Sequence, residues 1–446
     1  MRALHIFPTY APDVAGGSDA YQRGLTRALA HGGVEVEVHT TRSRRPLPRA
    51  TFGIDWPADF PGGREDDHGV PVYRFSASFS PGPVLGRLLS LPIVERWRRE
   101  EARSRMTASS EEAVESYRRR ALARPLLFDR LALAGRGPHS AALVRAGLRA
   151  ARRCDVVLAG FTPFATMWYA ALVARHAGKP LVLLPFFHPE DPYHHFRVHY
   201  RLFARADALL AETAHAAALF ERIAPGCKPI EVGAGIDAGE LADGGIDGGR
   251  FRRRHGLDDA RIVLFVGRKE RSKRYDLAVE AVDRIADERV HLVMIGEEVD
   301  GRPIASARVH NLGVLPRADL LDAYDACEVF VLPSEHESFG IVFLEAWMRR
   351  KPVIGNARCG PVSSLIDAGT DGLLASDAGQ LADAIKSLFS DPEGARRMGE
   401  TGHAKVLARY TWTHVASRVR SLYEDLAGRR SGGAGRFVVA QAPYPR

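Results

Sequence analysis

The sequence predicts two doubly wound α/β domains, Rossmann-like and facing each other across a cleft. Three observations lead there. At 446 residues the chain exceeds one ordinary core and divides into about two of roughly 200 residues each. Short apolar runs alternate with helical stretches in both halves. Those runs are apolar throughout, as strands of a parallel sheet covered on both faces must be. A composition of 46% hydrophobic and 26% charged residues is that of a globular chain, neither disordered nor fibrous.

In the first half, residues 3–7 read as a strand, 18–32 as a helix and 34–38 as a strand with period-2 alternation. Residues 42–80 are rich in Pro, Gly and Arg and read as loops around a short strand at 70–75. Residues 84–153 read as several basic helices inserted into the α/β pattern. A strand at 155–159, a helix at 164–176 and a strand at 181–184 then form a βαβ unit, followed by a strand at 206–211. The 19 uncharged residues 156–174 have the length of a membrane span, but Gly160 and Pro163 interrupt them and the βαβ reading accounts for them better. The Gly/Asp-rich stretch that ends at Arg250 suits a linker. In the second half, strands are expected at 262–267, 290–296, 309–312, 329–332 and 352–354. Helices are expected at 276–286, 317–327, 339–350 and 412–426.

The four cysteines are far apart and form no CxxC pair, which points to a reducing, cytoplasmic compartment without a disulfide framework or zinc site. The opening MRALHIFPTYAPD lacks a long apolar stretch before a cleavage site, so no signal peptide is expected. The +8 net charge is concentrated between Arg87 and Arg153, where 16 Arg face six Glu and one Asp. A solvated helical face is one reading; the other is a surface that meets anionic membrane lipid or an acidic acceptor. Few aromatics interleave with these arginines, so nucleic acid is not the expected partner.

Parallel sheets bind ligands at the carboxyl ends of their strands, and three strand-to-helix loops stand out. In Glu337-Ser338-Phe339-Gly340-Ile341-Val342-Phe343-Leu344-Glu345, one acid precedes a helix and the other lies two turns inside it. Residues 338, 341 and 345 would share a face. Gly340 lets backbone approach a ligand, and the free first-turn amides suit phosphate or sugar oxygens. Two carboxylates suit the hydroxyls of a polyol; a capping Glu337 with a solvated Glu345 is the plainer alternative. In Gly267-Arg268-Lys269-Glu270-Arg271-Ser272-Lys273-Arg274, five basic residues could neutralise a diphosphate without a metal, or form a basic surface loop. In Pro12-Asp13-Val14-Ala15-Gly16-Gly17, paired glycines before a helix form an anion or sugar cradle. This is not GxGxxG and no acidic ribose hook follows, which disfavours a NAD enzyme.

Together with Pro333-Ser334 before Glu337, with Pro352-Val353-Ile354 and with Trp412 opening the last helix, these loops occur in the order of a known family. Over most of 1–38 and 155–426 the chain resembles the retaining glycosyltransferases of family 4, of GT-B fold. The resemblance implies transfer of a sugar from a UDP- or GDP-linked donor to the hydroxyl of a glycan, a lipid-linked glycan or a small molecule, with retained anomeric configuration. It implies that Arg268 and Lys273 bind the diphosphate and Glu345 the ribose. Glu337, with the backbone at Phe339 and Gly340, would hold the transferred sugar, and Gly16 and Gly17 would close over it. Gly267, Ser334, Ser338 and Ile341 complete the expected donor site. His188, in Phe186-Phe187-His188-Pro189, matches the family histidine near the anomeric carbon; taken alone, a His after an apolar strand is more often structural.

No side-chain nucleophile is implied: the departing phosphate would take the acceptor's proton. No DxD-type site is present, so neither an essential metal nor a cofactor is expected. The domains fall at 1–236, the acceptor side carrying the basic insertion, and at 237–411, the donor side. A helix at 412–428 crosses back, and a mobile tail follows at 429–446. Arg349-Arg350-Lys351 and Cys359-Gly360-Pro361-Val362-Ser363 depart from the family pattern and leave the sugar and the pocket shape open. Two other functions compete: a non-catalytic sugar-nucleotide-binding or membrane-associated scaffold, and a glycosidase using Glu337 and Glu345.

Overall fold

A computed structural model describes residues 1–12, 17–48, 54–77, 110–189, 191, 194–242, 244–301, 304 and 306–431. The first half begins with β1 (Arg2–Ile6), α1 (Gly17–His31), β2 (Glu35–Thr41), the short pair β3 (Leu47–Pro48) and β4 (Ile54–Asp55), β5 (Gly63–Asp67) and β6 (Val70–Phe75). Helices α2 (Ser110–Ala123), α3 (Leu126–Arg136) and α4 (Ala141–Ala151) follow. Next come β7 (Val156–Gly160), α5 (Thr166–Ala177), β8 (Leu181–Leu184), α6 (Arg197–Arg205), β9 (Ala208–Ala211), α7 (Ala214–Ile223) and β10 (Pro229–Glu231). Helices α8 (Ala238–Ala242) and α9 (Gly248–His255) lead to the second half.

That half comprises β11 (Arg261–Val266), α10 (Tyr275–Asp283), β12 (Val290–Ile295), β13 (Val309–Asn311), α11 (Arg317–Ala326) and β14 (Val329–Leu332). It continues with α12 (Ile341–Met348), β15 (Val353–Asn356), α13 (Gly360–Leu365), β16 (Gly372–Ala375), α14 (Ala378–Ser390) and α15 (Pro392–Arg409), and α16 (Trp412–Ser431) ends the described chain.

The first sheet runs β10-β9-β8-β7-β1-β2-β6-β5, parallel except where β5 pairs antiparallel with β6. The second runs β13-β12-β11-β14-β15-β16, all parallel, which is the 3-2-1-4-5-6 order of a dinucleotide-type doubly wound sheet. Strand order reverses between β1 and β7 in one sheet and between β11 and β14 in the other. A crevice opens at such a point because successive helices leave to opposite faces. Those four strands are almost wholly buried, which is why they read as apolar runs. The uncharged run at 156–174 is β7 and the body of α5, and among the described residues no helix is long and apolar enough to cross a membrane.

Three expectations about organisation change. The basic insertion is shorter than 84–153 at its far end: α4 packs on β1, β2 and α5 as an ordinary crossover helix, so only α2 and α3 stand outside the α/β core. The first part of that stretch, 78–109, lies outside the described residues. The stretch read as a linker carries α8 and α9, and α9 packs so closely on α11 that a Cβ at Gly248 would lie 2.6 Å from the Ala326 backbone. The last helix continues to Ser431 rather than giving way at 429.

Helix α16 lies along α1. The Trp412 ring meets Tyr21 edge-on at 5.4 Å, and Cβ atoms at Gly24 and Gly235 would fall 2.1 and 2.4 Å from that ring. Arg420 Nη1 donates to Gly32 O at 3.0 Å. The chain enters this helix through a bridge in which Ile236 N donates to Tyr410 O (2.9 Å) and Trp412 N to Ile236 O (3.2 Å). A second contact joins the halves where Gly360 of α13 faces the His215 ring of α7.

Beside this junction, directly after β9, Glu212 is buried and its Oε1 has no hydrogen-bond partner. Desolvation pushes its carboxyl up to about 7 from an ordinary 4.5. Between those values the folded chain holds a proton that the unfolded chain releases, so stability falls as pH rises across that window, by on the order of 3 kcal/mol. Glu212→Gln is therefore expected to melt well above the native chain at about pH 8 and close to it at about pH 5. Equal melting differences at both values would show that Glu212 does not titrate in the fold.

Candidate functional site

The loop after β11 is fixed before it reaches its basic residues. Gly296, at φ 142°, meets Gly267 so closely that a Cβ would lie 2.1 Å from Gly267 O. Lys269 then turns inward, fully buried, with its N–H on Glu297 O (2.7 Å) and its Nζ on Gly296 O (2.5 Å). The five basic residues are thus not one anion-binding set. Lys269 is spent on a carbonyl, and burial lowers its ammonium pKa. Arg274, in the left-handed region at φ 49°, reaches Glu335 (2.5 Å) and Asp276 (3.1 Å). Arg268 is 59% exposed and lies 3.1 Å from Glu270, and Lys273 Nζ donates to Glu337 Oε1 at 2.7 Å.

That last contact joins the loops after β11 and β14, the two strands that flank the reversal of order. Further bonds lock the loops together: Glu335 N donates to Ser272 O at 2.9 Å, and the buried Ser334 lies 3.4 Å from the same carbonyl. Asn356 Nδ2, at the end of β15, donates to Pro333 O at 3.2 Å. Phe339 is buried edge-on against Tyr410. Gly340 has φ 91°, and a Cβ there would lie 2.7 Å from the Phe343 ring, so a side chain would be both strained and crowded.

Helix α12 starts only after this residue and ends before Arg350, at φ 53°. It is therefore Ile341–Met348 and not 339–350, and Ser338 shares no helical face with Glu345. Of its first-turn amides, Phe343 N–H is taken by Gly340 O at 3.0 Å, while those of Ile341 and Val342 come before the helix's own bonding pattern, next to the same loop.

Glu345, one turn further in, is nearly buried. Its Oε1 accepts from Arg317 Nη1 (2.7 Å) and its Oε2 from the Tyr324 hydroxyl (2.8 Å); Arg317 also binds Glu240 at 2.9 Å. Burial, and then Glu345 itself, push the Tyr324 phenol well above its ordinary range, so it stays a donor. Neither Arg317 nor Tyr324 was expected from the sequence. The unusual Arg349-Arg350-Lys351 lies at the opposite end of α12, about 12 Å from Gly340. There Arg349 (3.1 Å) and Lys351 (2.8 Å) hold Asp325 at the end of α11, so the departure leaves the site end of the helix untouched.

In the first half, Gly17 is the exposed first residue of α1, and Gly16 lies outside the described residues. His188 is exposed in the loop after β8. Its backbone N–H donates to Nδ1 of His194 at 3.0 Å. Burial and the neighbouring His188 keep His194 well below its ordinary pKa, so its Nδ1 lone pair is available to accept. His195 grips the next residue through Nε2 and Pro189 O at 2.7 Å. Two buried imidazoles therefore position the loop, a role the sequence did not signal.

The structure thus brings Lys273, Glu337, Ser334 and the start of α12 into one locked cluster, with Arg268 on its rim and Glu345 deeper. Gly17 and His188 sit at the carboxyl edge of the other sheet. A groove of about 920 Å³ lies beside the cluster on the outer face of α10, lined by residues such as Arg271, Tyr275, Asp283 and Ile304 and not by Lys273 or Glu337. Among the described residues no group of three His, Cys, Asp or Glu side chains could hold a metal ion.

Two parallel-sheet halves with their loops gathered at the points of strand reversal define the GT-B class of fold. The HepE protein of Anabaena, solved in complex with UDP, matches 95% of this chain and 100% of its own at a TM-score of 0.66 and 16% identity. Residues 249–405 match the family described as glycosyl transferases group 1. A D-inositol 3-phosphate glycosyltransferase of Catenulispora acidiphila is 30% identical over 60% of this chain and 71% of its own length. The chain belongs to the glycosyl transferases group 1 family. The alpha-D-kanosaminyltransferase of Streptomyces kanamyceticus is 29% identical over 40% of this chain, and the chain spans only about half (48%) of that relative.

Proposed function

We propose that this protein transfers a sugar from a nucleoside diphosphate sugar, UDP-linked or GDP-linked, to an acceptor hydroxyl with retention at the anomeric carbon. The observation that carries this reading is the Lys273–Glu337 contact at the point of strand reversal, directly before the open end of α12. Lys273, Arg268 and the first-turn amides of α12 stabilise the charge that develops on the leaving diphosphate. Glu337 keeps Lys273 in place and, with the backbone at Gly340, accepts hydroxyls of the transferred sugar. Glu345, held rigid by Arg317 and Tyr324, takes the ribose hydroxyls on its remaining lone pairs. Gly17 and His188 approach from the other half, and domain closure excludes water from the donor.

The glycosidase alternative weakens because Glu337 is paired with Lys273 and both oxygens of Glu345 are engaged. A glycosidase site would leave the cations that hold both carboxyls without a role, whereas a diphosphate-bearing donor uses Lys273 directly. HepE's complex with UDP makes uridine the first base to test. The acceptor is a glycan, a lipid-linked glycan or a small molecule, and the setting is cytoplasmic, in keeping with four free cysteines.

Diphosphate release from a panel of UDP- and GDP-sugars, measured with the acceptor candidates and followed by NMR of the new anomeric centre, tests the reading. Release is expected to persist in excess chelator, because the cationic loop carries the phosphate charge without a metal. Complete loss in chelator would remove the metal-free part. No release with any donor would favour a non-catalytic scaffold, the sugar-nucleotide-binding kind if nucleoside diphosphates still raise the melting temperature and the membrane-associated kind if none does.

A further inference from the structure

Helices α2 and α3, joined at Arg124-Pro125, have an inner and an outer side of different chemistry. Inside, Val114, Tyr117 and Ala121 are buried, and the Tyr117 ring lies 5.3 Å from His195, in the loop that follows His188. Asp129 accepts the Val198 N–H at 3.1 Å, and Arg197 donates to Leu122 O at 3.1 Å, so α6 holds both helices in place. At the turn between the helices the surface is apolar. Leu122 is 40% exposed and Leu127 65%, with Pro125 exposed between them. Arg119 and Arg130 are exposed on either side of this tip. From residue 118 to 130 the one acid is Asp129, which is buried, so two exposed cations flank the tip, and the nearest carboxylate on α2, Glu115, is paired with Arg118 at 3.2 Å.

An apolar point flanked by cations matches the boundary between headgroups and acyl chains of an anionic bilayer, where leucines leave water and arginines meet lipid phosphates. We propose that this tip docks the protein on an anionic membrane surface. Docking would bring the His188 loop, packed on the inner side of α2 through His195, to the bilayer, so that the acceptor is presented there. This last step rests on the glycosyltransferase reading; the docking itself does not.

The experiment is co-sedimentation of the full chain with phosphatidylglycerol-containing vesicles and with purely phosphatidylcholine vesicles. Binding is expected to the anionic vesicles alone, with most of it lost in about 1 M salt, where the screening length falls to about 3 Å. L127S is expected to weaken it by roughly tenfold and R130E by at least about fivefold, both with native melting temperatures. Equal binding to neutral vesicles would overturn the proposal, as would native binding by the L127S/R130E double variant. So would a solution dimer that L127S dissolves while vesicles stay unbound, which would make the tip an interface between copies of the chain. Sugar transfer to a water-soluble acceptor, measured without vesicles, separates the two claims: transfer without docking removes only the docking, and docking without transfer removes only the proposed activity.

Discussion

Lys273→Ala is expected to lower kcat/KM for the donor by about 10²- to 10³-fold, on the order of 3–4 kcal/mol of transition-state stabilisation. The size follows from where the ammonium sits. It is mostly buried, fixed at 2.7 Å from Glu337, and belongs to a loop tied to the β14 loop by the Glu335 amide and the Ser334 hydroxyl on the Ser272 carbonyl. A charge held before the reaction needs no reorganisation when the diphosphate leaves. Glu337→Ala should cost a comparable factor for a different reason, because it frees Lys273 from its position and removes an acceptor for the sugar. The double variant distinguishes a catalytic pair from a structural one. If the pair serves stability alone, removing both partners restores the melting temperature and the activity together. The expected outcome is recovery of stability without recovery of turnover.

The largest stability effect is expected at the junction of the halves. Trp412→Ala should destabilise by about 3 kcal/mol, the low end for a truncated Trp because this ring is partly exposed. Gly24→Val should damage the same contact from the other side, since even a Cβ would fall 2.1 Å from the ring. Both variants loosen α16 from α1, and chemical denaturation read against native controls measures the loss. A change under about 0.5 kcal/mol in both would show that the helix contributes little to holding the halves together.

The sequence was most legible where physics leaves one solution. The central strands are covered by helices on both faces, so β7, β8, β11 and β14 appear as uninterrupted apolar runs and were placed to within a residue or two. β5 has the sequence Gly-Arg-Glu-Asp-Asp at a sheet edge, held by the β6 backbone and by polar pairs of Glu65 with Arg74 and of Asp67 with Tyr10 and Arg27, so no apolar alternation announces it. Between 355 and 411 the sequence reading has no element: β16 with four residues and α13 with six are too short to show a period, whereas the longer α14 and α15 carry Asp377 and Asp391 caps that could have marked them.

In the site, the loops were legible because they follow strands, but the direction of each side chain was not. Lys269 and Arg268 look alike in sequence. The parallel bridge of Lys269 with Glu298 turns one inward, while its neighbour stays in solvent. Arg317 and Tyr324 reach Glu345 across 28 and 21 residues, a meeting that only the packing of α11 on its neighbours creates.

Calorimetric binding of UDP and UMP to the native chain and to Lys273→Ala tests the central claim most directly. Gripping of the second phosphate by Lys273, Arg268 and the mouth of α12 predicts that the native chain prefers the diphosphate by at least tenfold, and that most of this preference disappears in the variant. An undiminished preference in Lys273→Ala would place the diphosphate elsewhere and contradict the account.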